Sequence, residues 1–533
     1  MRQFQEIQGF LDFSFFQGYF QFYGEVWSYP PKLEPLMNLI KEKRWAEAGK
    51  EFRNLLKLGD SFLKQIDGAF IIVYFERKEK RGFIFRSLLC KYSLYLRQTK
   101  RQIFWATRIE KVMHEDHPGP DKVNKEKLIR SCFAEALEPS QTYFTDIQKL
   151  PAGSMLRIAN EKAEIVPYDL VYAQPDVARL KREQITYMIV ETLTKTILKR
   201  VQSSDRIGVL LSGGIDSAVV LMLVKSCNIP VVAYHWGWLN EKSKYRASVE
   251  KLTGFANVPL AIIEPGELKD LSRDASSFNL PYPSLDYLMM EQTCKQSRKD
   301  EVNLLASGYF SEYIFGYYGT ERFSRQIWSK SLFRRMMERM GMLRPTWADR
   351  PEDLPIPLFF TDEAAKQAKR FLRTLKEKAD TREALGFSLN RDKETLIQLH
   401  QLTPHQMNML FPFVSRELME LAVSLPPDMK VLFRGGQWIE KPLLRWAFFD
   451  WLPIDIITYV PRQYEVMSVE SRFLMKYKDQ VKELLNESSV LAQWGIIHCE
   501  RLEQCLQHQR LLMLSTKGLI WAYMTEIWLR SLL

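Results

Sequence analysis

Histidine and cysteine are scarce in this chain, and it has no long apolar run. Seven histidines and six cysteines are spread over 533 residues. The cysteines, Cys90, Cys132, Cys227, Cys294, Cys499 and Cys505, form no CxxC pair, so neither a zinc site nor a disulfide framework is indicated. No apolar stretch reaches the ~18 residues that a membrane-spanning helix needs, and the chain is not expected to cross a membrane. The nearest stretch, Gly518 to Leu533, is broken by Glu526 and Arg530 and reads as a packed amphipathic helix. Met1-Arg2-Gln3-Phe4-Gln5-Glu6 has no basic segment leading into an apolar one, so no export signal is expected. The cysteines then read as reduced thiols of a cytoplasmic protein. Internal repeats and low-complexity tracts are also missing, which argues against a solenoid or a disordered tail.

What is present supports more than one core. Apolar residues make up 46% and aromatics 13% of the chain, and its length exceeds what a single core organises. The net charge of +11 favours acidic partners. It is concentrated between Arg322 and Arg344, where Arg325, Lys330, Arg334, Arg335 and Arg339 alternate with Phe323, Trp328 and Phe333. This segment reads as an amphipathic helix with a solvated basic face; the same mix would also suit an extended acidic or aromatic polymer. No nucleic-acid-binding signature occurs, and none is expected as a partner.

The periodicity changes along the chain. Before residue ~170, short apolar and aromatic runs of strand length recur, Phe70 to Phe75, Gly82 to Phe85 and Ile103 to Ala106, and Pro151-Ala152-Gly153 reads as a turn leading into Ser154 to Ile158. His114 to Asp121 reads as a loop. Ile185, Ile189, Leu193, Ile197 and Val201 then repeat at helical spacing. A short strand from Ile207 to Leu211 leads into Ser212-Gly213-Gly214-Ile215-Asp216-Ser217, a helix from Ala218 to Lys225 and a second strand from Val231 to Tyr234. Strand–loop–helix–strand is a right-handed unit of a parallel sheet. The fold class expected is therefore mixed, α/β joined to α+β, with an N-terminal domain over 1–172 and an α/β domain over 173–533.

The Ser/Gly loop has the composition of a phosphate grip. Gly213 and Gly214 let backbone N–H groups approach an anion, and the following helix start adds unpaired N–H groups. Ser212 and Ser217 can donate hydroxyl hydrogen bonds. Asp216 would repel phosphate unless a cation lies between them, which suits Mg2+. Neither the Gly-Lys-Ser/Thr of a Walker loop nor a dinucleotide fingerprint is present.

The loop resembles the SGGxDS motif of ATP pyrophosphatases, and the resemblance extends over nearly the whole chain to the asparagine-synthetase-like family. Ile66 to Phe70, Arg86 to Tyr95 and Phe104-Trp105-Ala106 are similar to its amidotransferase domain, and Leu150-Pro151-Ala152-Gly153 to the end of that domain. Phe411-Pro412-Phe413, Leu421 to Pro426 and Lys441-Pro442-Leu443-Leu444-Arg445 are similar to its late synthetase helices. The resemblance implies an Ntn-amidotransferase-like β-sandwich followed by an adenine-nucleotide α-hydrolase-like parallel-sheet domain. It implies ATP and Mg2+ as cofactors. Leu210, Ser212, Gly213, Gly214, Asp216, Ser217, Tyr234 and Gly308 would form the nucleotide site, with Asp216 and Glu312 as metal ligands.

Departures from the pattern refine this expectation. Glutamine-using members carry a nucleophilic cysteine after Met1; Arg2 stands there in this chain. The nitrogen would then arrive on the substrate, which points to the cyclising branch: β-lactam synthetases, carbapenam synthetases and lasso peptide cyclases. The second synthetase motif, roughly SGxGxDExFG, reads here Ser307-Gly308-Tyr309-Phe310-Ser311-Glu312-Tyr313-Ile314-Phe315-Gly316. Glu312 stands at the second Mg2+-binding acid, and Phe310 replaces a glycine. Tyr309 stands where β-lactam synthetases place a base that works with a glutamate, for which Glu394 is the nearest candidate. The late loop Val460-Pro461-Arg462-Gln463-Tyr464 puts Arg462 where the family has a lysine; Lys441 and Arg445 are further cations for the phosphates. Ala233-Tyr234-His235 and the tail around Ile496-Ile497-His498 most resemble lasso peptide cyclases. That branch implies a precursor peptide as substrate and a leader peptidase or leader-recognition protein as partner.

Overall fold

The computed structural model describes residues 8–12, 19–113, 122–133, 138–201, 204–240, 244–267, 280–281, 285–316, 356–375, 385, 389–390, 397–426, 429–434, 437–458 and 469–533. The segments 114–121 and 322–344, Glu394 and Arg462 lie outside them.

Residues 8–167 build two antiparallel sheets. One contains β1 (Gln8–Asp12), β5 (Tyr95–Gln98), β6 (Gln102–Ala106) and β7 (Ile147–Lys149) in the order β1-β6-β5-β7. The other contains β2 (Tyr19–Ser28), β3 (Asp67–Glu76), β4 (Arg81–Arg86), β8 (Ser154–Ala159) and β9 (Lys162–Pro167) in the order β2-β3-β4-β8-β9. The near-continuous apolar run of β3 follows from burial on both faces. Ile71, Val73 and Phe75 meet Leu96, Ile103 and Trp105 of the facing sheet. Phe70, Ile72 and Tyr74, one residue out of phase, pack on Met37 of α1 (Glu34–Lys41) and on Ala48 and Phe52 of α2 (Trp45–Lys57). The domain is thus a two-sheet sandwich with helices over one outer face.

The second part centres on five parallel strands: β10 (Ile207–Leu210), β11 (Val231–Trp236), β12 (Leu260–Ile263), β13 (Leu304–Ser307) and β14 (Asn408–Leu410), in the order β12-β11-β10-β13-β14. Helix α3 (Arg182–Val201) precedes the sheet, and its stripe Ile185, Ile189, Leu193, Ile197 and Val201 is buried. Helix α4 (Ile215–Lys225) starts inside the Ser/Gly loop, earlier than the composition suggested. From β10 the chain builds β11 and β12 on one side, then returns to place β13 on the other. That reversal creates a crevice at the carboxyl ends of β10 and β13, where open α/β sheets bind ligands.

The C-terminal helix, α5 (Gln509–Ser531), differs from its expected amphipathic form. Gly518 to Glu526 are all buried, so no side of this stretch faces solvent. Its rings complete the contact with the N-terminal domain: Trp528 meets Tyr143 and Phe144, and Trp521 Nε1 donates to Ser131 Oγ at 2.8 Å. Among the described residues, no helix is long and apolar enough to cross a membrane.

Candidate functional site

The loop after β10 holds itself open through its own hydroxyls. Ser212 N–H donates to Ser217 Oγ at 3.2 Å, the two hydroxyls lie 3.2 Å apart, and Ser217 Oγ donates to Gly214 C=O at 3.1 Å. Gly213 has φ +85, and a Cβ there would sit 2.9 Å from Tyr245 C=O, so glycine is required on both conformational and steric grounds. Ser212 is exposed, and the N-terminus of α4 opens beside it, a ready site for an anion.

The second motif touches the first at Gly308. A Cβ on Gly308 would lie 2.8 Å from Ser217 N and 3.0 Å from Asp216 Cβ; the end of β13 can approach the loop this closely only without a side chain. Tyr309 follows, half-buried, with its N–H on Ser307 Oγ at 3.2 Å. Its ring packs edge-on against Phe310 at 4.9 Å and Phe411 at 6.0 Å. Phe310 takes φ 79 just ahead of the short helix Ser311–Phe315. The glycine-like backbone is therefore kept at a strain of about 1–2 kcal/mol, outweighed by about 3–5 kcal/mol for a buried phenylalanine ring. That balance explains how a bulky residue persists at a left-handed position.

Lys441 joins the two motifs. It stands at φ 54 between Glu440 and the helix Pro442–Ala447, and is buried. Its Nζ donates to Asp216 Oδ2 at 2.5 Å and to Ser311 Oγ at 3.1 Å. Arg445, one helical turn on, is buried with Nε on Glu440 C=O and Nη1 on Ile457 C=O. Burial lowers its guanidinium pKa, and the Asp216 charge partly opposes that shift. Ser311 had no assigned part in the sequence reading; its only signal there was a hydroxyl inside the second motif.

The fit to Mg2+ rests on Asp216. Its Oδ1 is buried without a hydrogen-bond partner, while Oδ2 is held by Lys441, so one oxygen remains for a cation. No group of three or more His, Cys, Asp or Glu among the described residues can hold a metal unaided. Mg2+ binds through one or two carboxylates together with substrate phosphates, and the open Asp216 oxygen meets that need. Asp216 would hold it, with Glu312 of the second motif as the further carboxylate.

Tyr234, expected in the nucleotide site, turns its side chain away from the loop. Its side chain is fully buried beneath the sheet, with the hydroxyl on Asp300 Oδ2 at 2.8 Å, beyond the amino end of β13 and away from the loop. The neighbouring His235 points to the other face, buried, with Nδ1 2.8 Å from Leu211 C=O at the loop's entry. A one-residue step along a strand exchanges faces, and the pleat assigns the loop side to His235. Leu210 is half-buried and pairs with Tyr234 and Ser307.

The site thus combines a Ser/Gly loop at a sheet switch point, a carboxylate with one oxygen left without a hydrogen bond and a lysine bridging two loops. The chain belongs to the asparagine synthase family, whose pattern matches residues 188–530; a glutamine amidotransferase domain pattern matches residues 51–169. Asparagine synthetase (glutamine-hydrolysing) 2 of Bacillus subtilis strain 168 is 25% identical over 173 residues, 30% of this chain and 23% of that protein. The chain thus matches less than a quarter of that relative's length. Among solved structures, the ammonia-dependent NAD synthetase of Campylobacter jejuni is similar at 15% identity and TM-score 0.20, covering 38% of this chain and 97% of that one. The NMN synthetase of Francisella tularensis is similar at 18% identity and TM-score 0.19, covering 26% and 59%.

Proposed function

We propose that this protein is an AMP-forming amide ligase of the cyclising kind, closing a ring within a precursor peptide. The carrying observation is Lys441, which ties the Asp216 loop to the Tyr309–Glu312 motif in one crevice. A side-chain carboxylate of the peptide attacks the α-phosphorus of ATP, and pyrophosphate leaves. The α-amine of the same peptide then attacks the acyl carbon, AMP leaves, and the amine's proton passes through the Tyr309 hydroxyl to a glutamate, for which Glu394 is the nearest candidate. Ser212, Ser217 and the backbone of Gly213 and Gly214 hold the phosphates. Lys441 offsets the charge that develops on them, which is the largest catalytic term such a site offers. Bound Mg2+ supplies charge neutralisation at the phosphates. A leader peptidase or leader-recognition protein is the expected partner.

An internal amine as nucleophile is favoured by the state of the N-terminal domain. A glutaminase needs an accessible thiolate. Cys90 of the sandwich is fully buried, and desolvation raises its thiol pKa.

The test is incubation with ATP, Mg2+ and linear peptides carrying a free amino terminus and an Asp or Glu side chain. The expected result is a peptide lighter by one water, with AMP and pyrophosphate in equal amounts. Asparagine from aspartate and free ammonia would favour an ammonia-dependent synthetase instead. Turnover with a small amino-acid derivative alone would favour a β-lactam-type ligase. No exchange of pyrophosphate into ATP with any carboxylate would mark a binding homologue.

A further inference from the structure

The sandwich domain reaches the edge strand β14 of the ligase part through Lys91. Lys91 lies in the turn after β4, next to the buried Cys90, and is itself buried. Its Nζ crosses the domain interface to donate to Met409 C=O at 2.9 Å. The same ammonium sits 3.9 Å from the centroid of the Phe411 ring. Met409 is the middle residue of edge strand β14, and Phe411 follows its end. A buried ammonium is costly unless it is paired, and the carbonyl and the ring face both pair it. Arg200 fixes the backbone at the same point, its Nη1 on Phe411 C=O at 3.1 Å. The Phe411 ring also lies against Tyr309 and Phe310, with ring centroids 6.0 Å apart in each case.

We propose that Lys91 is a positioning residue, through which the N-terminal domain sets the ring of Tyr309 by way of Phe411. This rests on Tyr309 acting as the base of the amide-forming step. A second staple keeps the interface rigid around that contact. Arg86, fully buried, donates to Asn390 Oδ1 at 2.8 Å, Ala152 N–H donates to the same oxygen at 2.9 Å, and Lys149 Nζ donates to Asn390 C=O at 2.8 Å. The sandwich thus contributes to the ligase step as the fixed wall of its base.

The two half-reactions separate this role from a structural one. Adenylate formation is read as hydroxamate when hydroxylamine replaces the internal amine; ring closure is read as the dehydrated peptide. Lys91→Met is expected to lower closure about tenfold with hydroxamate unchanged, and Lys91→Arg to restore most of the loss. In a Tyr309→Phe background, itself about 10²-fold slower, Lys91→Met should add nothing. Equal loss of hydroxamate and closure, or additive losses in the double variant, would overturn the proposal. A substrate-free measurement decides independently. With tyrosines 13C-labelled at Cζ, the resonance missing from Tyr309→Phe should shift in Lys91→Met, and an unmoved resonance overturns the proposal. No closure by the wild-type protein, with that shift present, counts against the ligase reading instead.

Discussion

At Lys441, backbone conformation and charge act together. Its left-handed φ of 54 starts the helix Pro442–Ala447, and Pro442 at the first helical position needs no hydrogen-bond acceptor there. The same turn directs Nζ between Asp216 and Ser311. Lys441→Met preserves length and burial but removes the charge. The variant is expected to lose about 10²- to 10³-fold in pyrophosphate exchange into ATP, the usual cost of removing one preorganised charge-stabilising group. Because the Asp216 carboxylate would lose its ionic partner in a half-buried site, its demand for an added cation should rise. Half-maximal exchange should therefore need a different Mg2+ concentration from wild type, and identical Mg2+ dependence would show that the two groups act separately.

At the scale of elements, α5 shows how a buried acid organises a helix end. Glu526 is fully buried, yet each oxygen is used: Oε1 accepts from Val490 N–H at 2.9 Å and Arg530 Nε at 2.8 Å, and Oε2 accepts from Leu491 N–H at 3.0 Å. It thereby satisfies two unpaired donors at the start of the helix Val490–Gln493. The charge that breaks the apolar run in sequence is the one that ties the tail to the domain. Arg530 is 42% exposed, so the main cost of losing Glu526 is the two buried N–H groups left unpaired, about 1–3 kcal/mol each. Glu526→Ala should lower the midpoint of chemical denaturation by a correspondingly large amount. Glu526→Gln, which keeps an acceptor, should cost less, and an equal effect of both would assign the loss to charge alone.

Over the whole molecule, the two domains are not separable units. One buried cluster contains Tyr95, Ala106, Val112 and Phe144 of the sandwich together with Phe359, Trp521 and Trp528 of the ligase part. Deleting residues 1–172 would expose the Trp528 and Trp521 contacts and strand Asn390 and Met409 without Arg86, Lys149 and Lys91. The shortened chain is expected to aggregate, while the full chain melts in one calorimetric transition. Two well-separated transitions, or a soluble and folded 173–533 fragment, would contradict a shared core.

Much of this was legible in the sequence because it depends on local patterns. The apolar and aromatic runs gave β3, β4 and β6, the 3.6-residue stripe gave α3, and SGGIDS was expected between a strand and a helix, where β10 and α4 stand. Other features depend on residues far apart in the chain. The pleat turns His235 toward the loop and Tyr234 away from it, and one residue of register decides which. The stretch Gly518 to Glu526, which sequence reads as part of an amphipathic helix, is buried all round because the sandwich covers its second face. The pairing of Lys441 with Asp216 spans 225 positions, and Lys91 reaches Met409 across 318. Sequence by itself determined several elements, the strand–loop–helix around Gly213 and Gly214 and the presence of charged and aromatic side chains at each motif. Only tertiary packing decided which cation meets Asp216 and which ring backs Tyr309, because such contacts arise where desolvated groups must find partners that no local pattern specifies.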